Sequence, residues 1–170
     1  NKWESIIFII DNSDLIEVQG IKVYNLMEAN EKYVQNLELA LAIGEPETRR
    51  KIIAGTNALK IPFVTIVHPS VEIPESTKVG KGCYIASNSF ISCNVEIDDF
   101  VLIQPNVNIG HDCVLEYNVT VCGMTTLGGG CRLHNDAFIG MGVSIIQHCT
   151  IGHHAIVGMG AAVFNDQPEE

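Results

Sequence analysis

From Val67 onward one aliphatic residue recurs every six positions: Val67, Ile73, Val79, Ile85, Ile91, Ile97, Ile103, Ile109, Leu115, Val121, Leu127, Leu133, Ile139, Ile145, Ile151, Val157 and Val163. Four residues after each of these, from Val71 to Ala161, stands a small or β-branched residue, always Val, Thr, Cys, Ser or Ala. Two inward positions per hexad predict short strands whose side chains alternate between a core and solvent. The slot three after each aliphatic residue holds Gly, Asn or Asp in ten of sixteen hexads: Gly82, Asn88, Asn94, Asn106, Asp112, Asn118, Gly130, Asp136, Gly142 and Gly160. These residues tolerate a left-handed backbone, so each strand should end in a sharp turn. Strand and turn alternating on a six-residue period describe a prism.

Residues 1–66 have another texture. "ESIIFIID" and "GIKVYNL" read as strands, "LELALAIG" as a strand ending in glycine, "PETRRKIIAGTNALK" as a helix with Pro46 near its start, and "FVTIV" as a strand feeding the prism. Alternating strand and helix predict a small α/β unit over 1–66, ahead of a β-prism over 67–170. The 170 residues suffice for a real core.

Charge narrows the partners. Ten basic residues against twenty acidic ones give a formal charge of −10, which repels phosphate backbones and anionic lipid, so neither nucleic acid nor membrane is an expected partner. After Lys81 the only basic residue is Arg132. No apolar run reaches a membrane span, and "NKWESIIFIIDN" lacks the basic flank and cleavage site of a signal peptide, so a cytoplasmic protein with reduced thiols is expected. Cys83, Cys113, Cys131 and Cys149 occupy the small inward slot and read as buried hydrophobes, while Cys93 and Cys122 fall in turn slots.

The hexads "VGKGCY", "LGGGCR", "IGMGVS" and "VGMGAA" resemble those of the hexapeptide-repeat transferases. The resemblance implies a mainly β fold, a left-handed parallel β-helix of about five coils preceded by a small, truncated Rossmann-like α/β unit. With three hexads per coil, residues 18 apart lie above one another at the strand spacing of ~4.8 Å. "IIFIIDN", "AIGEPETRRK", "IVHPS" and "IGHD" narrow the resemblance to the sialic acid and bacillosamine-type sugar O- or N-acetyltransferases, along essentially the whole chain.

That branch implies direct acetyl transfer from acetyl-CoA to an amine or hydroxyl of a sugar or nucleotide-sugar, without a metal. His111 would be the general base, a role suited to imidazole, and Asp112 would orient it. Gly129 would let the donor approach and offer its N–H to the thioester carbonyl. Gly140, Gly158 and Met159 match coenzyme A contacts, Asp11 and Asn12 the acidic pair holding a nucleotide, and Gln104 an acceptor-facing position. A homotrimer with active sites between subunits follows from the same resemblance, and Val114, Phe138 and Ile156 are outward apolar residues compatible with it.

Other readings stand beside this one. Asp112 shares its slot with Asn94, Asn106, Asn118 and Asp136 and reads equally as a turn residue, His111 as a solvated turn histidine, and Asp11-Asn12 as a strand-ending turn. His148 and His153 have the H-x4-H spacing of the gamma-type carbonic anhydrases, with Asp112 where a further zinc ligand would fall. His134 and His154 read as surface turn residues, and His68 as a junction residue. A trimeric β-helix scaffold without catalysis is the third alternative.

Overall fold

In the computed structural model, residues 4–10, 13–33 and 36–169 are described. The hexads close into a three-faced parallel β-helix. Face 1 is a six-stranded ladder through Val67, Ile85, Ile103, Val121, Ile139 and Val157. Face 2 has five strands, through Ile91, Ile109, Leu127, Ile145 and Val163, and face 3 five, through Val79, Ile97, Leu115, Leu133 and Ile151. Every strand of these three faces pairs in parallel with residues 18 away. We name the edge between faces 1 and 2 edge A, that between 2 and 3 edge B, and that between 3 and 1 edge C.

The inward aliphatics form one column of core. Ile85, Ile103, Ile109, Leu115, Val121, Leu133, Ile139 and Ile151 have no solvent exposure. Each such side chain stabilises the fold by about 1.5–3 kcal/mol relative to exposure. The small inward slot has a second use. Its hydroxyls and thiols donate to the carbonyl 15 residues on: Ser89 Oγ to Gln104, Thr125 Oγ1 to Gly140, Cys113 Sγ to Gly128 and Cys131 Sγ to Ile146. The four inward cysteines are accordingly buried, and burial pushes the Cys83 thiol up to about 11. Cys122 is also buried, whereas Cys93 is exposed.

Every corner from Gly82 to Gly160, in steps of six, has φ between 57° and 70°. The four that are not Gly, Asn or Asp, namely Phe100, Met124, His148 and His154, obey the same rule. A left-handed residue with a bulky side chain costs on the order of 1 kcal/mol. At Phe100 burial offsets that cost: the ring packs edge-on against Phe63 at 5.0 Å and Tyr117 at 5.6 Å, over Gly82, where a Cβ would meet it at 2.5 Å.

The N-terminal unit departs from expectation in three places. Strands β1 (Phe8–Ile9), β2 (Glu17–Val18) and β3 (Ile21–Tyr24) make a mixed sheet in the order β1-β3-β2, with β2 and β3 a hairpin turning on Gln19 and Gly20, both at positive φ. Helix α1 (Leu26–Lys32) was not anticipated, although its capping box is in the sequence: Asn25 Oδ1 accepts from Glu28 N, and Glu28 Oε2 accepts from Asn25 N. "LELALAIG" contributes a single parallel bridge, Leu39 to Phe63, rather than a strand. Helix α2 (Pro46–Thr56) starts as expected, capped by Glu45, and tightens into a 3-10 turn at Asn57–Leu59. Strand β4 (Ile66–Val67) spans the boundary expected at 66/67 and already belongs to face 1.

Arg49 fastens α2 to edge C. It is 1% exposed, yet every donor is used: Nε to Asn118 Oδ1, Nη1 to Thr120 Oγ1 and the Ile43 carbonyl, Nη2 to the Asn118 and Val119 carbonyls. Burial lowers its pKa to about 10, with Asp136 opposing, so it remains charged at neutral pH. Asn118 completes the joint by donating to Pro46 O and Asp136 Oδ1. Replacing Arg49 with Met strands these acceptors without their donors. Thermal unfolding of Arg49→Met should show a loss of about 3 kcal/mol, and an unchanged melting temperature would disprove the joint.

Candidate active site

Edge B carries His111 and Asp112. In one column, two places after the face 2 aliphatics, stand Cys93, His111, Gly129 and Gln147, and in the next Asn94, Asp112, Gly130 and His148. Asp112 is a corner residue, with φ 58°, so the turn reading of its backbone is correct. Its side chain does more. Asp112 Oδ2 lies 2.6 Å from His111 Nδ1, and Oδ1 accepts from Asn94 Nδ2 at 3.0 Å. Asn94 is itself held through its backbone N–H by Ser76 Oγ at 3.0 Å. The hydrogen bonds from His111 first and Asn94 second hold the Asp112 carboxyl below its ordinary range.

An ionised carboxylate only accepts, so the proton on this bond belongs to His111 Nδ1 and the lone pair to Nε2. That nitrogen faces Gly129, one coil on: a Cβ at Gly129 would sit 2.6 Å from it. Only glycine leaves room for the ring in this position. The Gly129 N–H donates to no group among the described residues and is free for a ligand. The edge is open, with the His111 side chain 61% exposed, so reagents can reach it. An imidazole nitrogen can take a proton from a nucleophile, and an unused backbone N–H can stabilise charge on a carbonyl oxygen.

The other expected residues lie elsewhere. Gln104, Gly140 and Gly158 form a column on edge A, with Met159 following and 78% exposed. Gln104 Oε1 accepts from Gly123 N at 3.0 Å. Gly140 has a packing reason of its own, because a Cβ there would meet Met159 N at 2.7 Å, whereas Gly158 faces open space. Edges A and B bound the same face 2, so within one chain the two groups are not brought together. Asp11 and Asn12 lie outside the described residues.

His148 caps edge B near Gly130, while His153 is at edge C, so the H-x4-H pair divides between two edges. His134 is not a free surface residue: it pairs with Glu116 and stacks on His153. His68 bonds Ser70 Oγ beside the first coil. Of the outward apolar residues, Val114 and Phe138 are half-buried and Ile156 is 66% exposed. Sequence reading missed Asn94 as a partner of the site, although the 18-residue register puts it directly beneath Asp112.

The repeat and its 18-residue register define a parallel β-helix. Residues 130–165 match the bacterial transferase hexapeptide (six repeats) family. Among solved structures, a mutant of perosamine N-acetyltransferase from Caulobacter crescentus, in complex with CoA and GDP-perosamine, superposes with a TM-score of 0.89 at 26% identity, covering 96% of this chain and 79% of that one. The acetyltransferase domain of PglB from Neisseria gonorrhoeae shares the fold at a TM-score of 0.90 and 24% identity, over 98% and 82% of the two chains. By sequence, an acyl-[acyl-carrier-protein]–UDP-N-acetylglucosamine O-acyltransferase from Aliivibrio salmonicida is 25% identical over 126 residues, 74% of this chain and 44% of its own length. The chain thus spans less than half of that curated relative. The expected resemblance holds: the chain carries hexapeptide repeats, and its fold matches that of left-handed β-helix acetyltransferases.

The Asp112 contact makes a measurable prediction. In nitrogen-15 NMR of the neutral protein, His111 should be the Nδ1–H tautomer, and Asp112→Ala should return it to the Nε2–H form that free imidazole prefers. An Nε2–H tautomer in the parent protein would mean that the contact does not hold the ring in solution.

Proposed function

We propose that the protein is an acetyl-CoA-dependent acetyltransferase acting on an amine or hydroxyl of a sugar or nucleotide-sugar. The observation that carries this reading is the His111 ring, fixed through Asp112 and Asn94 with Nε2 against Gly129, in the space that a Cβ there would fill. The relatives named above, which include a sugar N-acetyltransferase bound to CoA and a nucleotide-sugar, support the same chemistry. The six cysteines, all free thiols, accord with the reducing cytoplasm.

In this reading acetyl-CoA is a substrate and no metal takes part. His111 Nε2 accepts the proton of the acceptor amine or hydroxyl as its nitrogen or oxygen bonds to the thioester carbon. Asp112 stabilises the imidazolium that results. The Gly129 N–H donates to the carbonyl oxygen while negative charge builds there. His111 then returns its proton to the departing thiolate when the carbon–sulfur bond breaks. No side chain is acylated.

Gln104, Gly140, Gly158 and Met159 on edge A serve the site of a neighbouring subunit. We assign the protein to a homotrimer with sites between subunits on the ground that one chain divides the two groups between edges A and B. Exposed Met124, Met141 and Met159 give edge A an apolar, adaptable surface against which a cofactor chain can lie. Arg132, the one Lys or Arg of the later coils, is already paired with Glu116, so contacts to coenzyme A phosphates fall to backbone N–H groups or to a neighbouring subunit. Asp11 and Asn12 are assigned to the nucleotide of the acceptor, on the resemblance alone.

Acetyl-CoA consumption, followed by chromatography because free thiols disturb dye assays, tests the reading against UDP- and GDP-linked amino sugars, free amino sugars and sialic acid. Turnover on one acceptor should fall by about 10²–10⁴-fold in His111→Ala. Equal rates in the variant would remove His111 as the base, and neither turnover nor binding of acetyl-CoA would leave the scaffold alternative. A second variant separates position from presence. In Gly129→Ala the new methyl displaces an exposed ring, so turnover should drop at least tenfold while the melting temperature moves little. Full activity in that variant would remove Gly129 from the site.

A further inference from the structure

Edge C holds a cluster of titratable side chains that acetyl transfer does not use. Glu116 follows the face 3 strand Val114–Leu115 and His134 follows Arg132–Leu133, one coil on and 18 residues later. His153 comes two residues after Thr150–Ile151, in the coil beyond. The three offer one carboxylate oxygen and two imidazole nitrogens, all within 4.8 Å of one another, and all three residues are half-buried. Among the described residues no other group of His, Cys, Asp and Glu converges in this way.

The present contacts have the form of a cation site closed by a proton. Glu116 Oε2 and His134 Nδ1 share a hydrogen bond of 2.9 Å, and the His153 ring stacks on His134 at 4.7 Å with the planes 23° apart. Arg132 Nη1 holds Glu116 Oε1 at 2.9 Å, which fixes the carboxylate as outer-shell partners fix metal ligands while leaving Oε2 to the cluster. Two imidazoles and one carboxylate suit a borderline divalent ion, with water completing a four-coordinate shell. An ion held by the three would displace the proton that Glu116 and His134 now share, which leaves to solvent.

We propose that Glu116, His134 and His153 form a binding site for a divalent transition-metal ion of the zinc type, on edge C and away from His111. The ion joins three successive coils on the edge where Arg49 anchors α2, so its effect is on the stability of the prism.

The probe is zinc chloride alone, added to metal-free protein carrying Cys93→Ser so that the exposed thiol does not compete. Titration calorimetry should find one ion per chain with a Kd of about 10 μM or tighter. His153→Ala and Glu116→Gln should each weaken it at least tenfold, and Zn²⁺ should raise the melting temperature of the parent but not of these variants. Cobalt in place of zinc should give the visible spectrum of a nitrogen and oxygen site, without the near-ultraviolet thiolate band. Zinc binding that is absent, or unchanged in both variants, overturns the proposal. A thiolate band with cobalt does so as well, by assigning the ion to a cysteine. His134→Gln, which keeps a polar side chain beside Glu116, guards against loss of fold: it should melt close to the metal-free parent and still lose the ion.

Discussion

The whole prism depends on one backbone constraint, a left-handed residue at every sixth position. Each such residue turns the chain from one face to the next, and from Phe100 on it sends its own N–H back to a carbonyl of the preceding coil, as Asp112 N does to the Cys93 carbonyl at 3.1 Å and Asn118 N to Asp99 at 3.0 Å. Strands two residues long could not persist alone. They persist because the corners hold them in an 18-residue register in which Asn108 N meets the Thr125 carbonyl and Gly110 N the Leu127 carbonyl, both at 2.9 Å. Register then fixes which side chains are buried, since a slip of one residue would turn the aliphatic column outward.

The same register makes the site. His111 gets its geometry from residues above and below it in space: Asn94 one coil before, through Asp112, and Gly129 one coil after, through the space it leaves. Edge C works by the same rule with another outcome. There the column brings Glu116 under His134, and Asn118 under Asp136, and the latter pair with Arg49 and Arg50 ties the N-terminal unit to the prism. Three edges with one backbone thus carry a histidine–aspartate pair, an apolar surface and a joint.

The prism was legible because its signal is repeated: a six-residue period survives local exceptions, and even Phe100 and Met124 take the corner conformation against their own preference. His111 and Asp112 were legible for the complementary reason, as polar residues whose slot gives imidazole no structural advantage. Asn94 needed both steps, the period and then the column. The N-terminal unit was read less well. Its strands are two to four residues long, and "LELALAIG" has the alternation of a strand but spends its backbone on one bridge and on carbonyls that receive Arg49. A single buried arginine overruled the local pattern, and nothing in the linear order of "PETRRK" says which of its cations turns inward.

Corners every six residues also impose an arithmetic on how such a chain can grow. Adding one coil, 18 residues, between Asn94 and His111 would keep every later residue on its own edge and lift it by one step. Adding a single hexad would leave the strands and core equally well formed, yet carry His111 from edge B to edge C and Glu116 from edge C to edge A. The hexad repeat itself accommodates both changes, whereas the contacts between columns, the Arg49 joint to Asn118 among them, depend on each residue keeping both its edge and its coil.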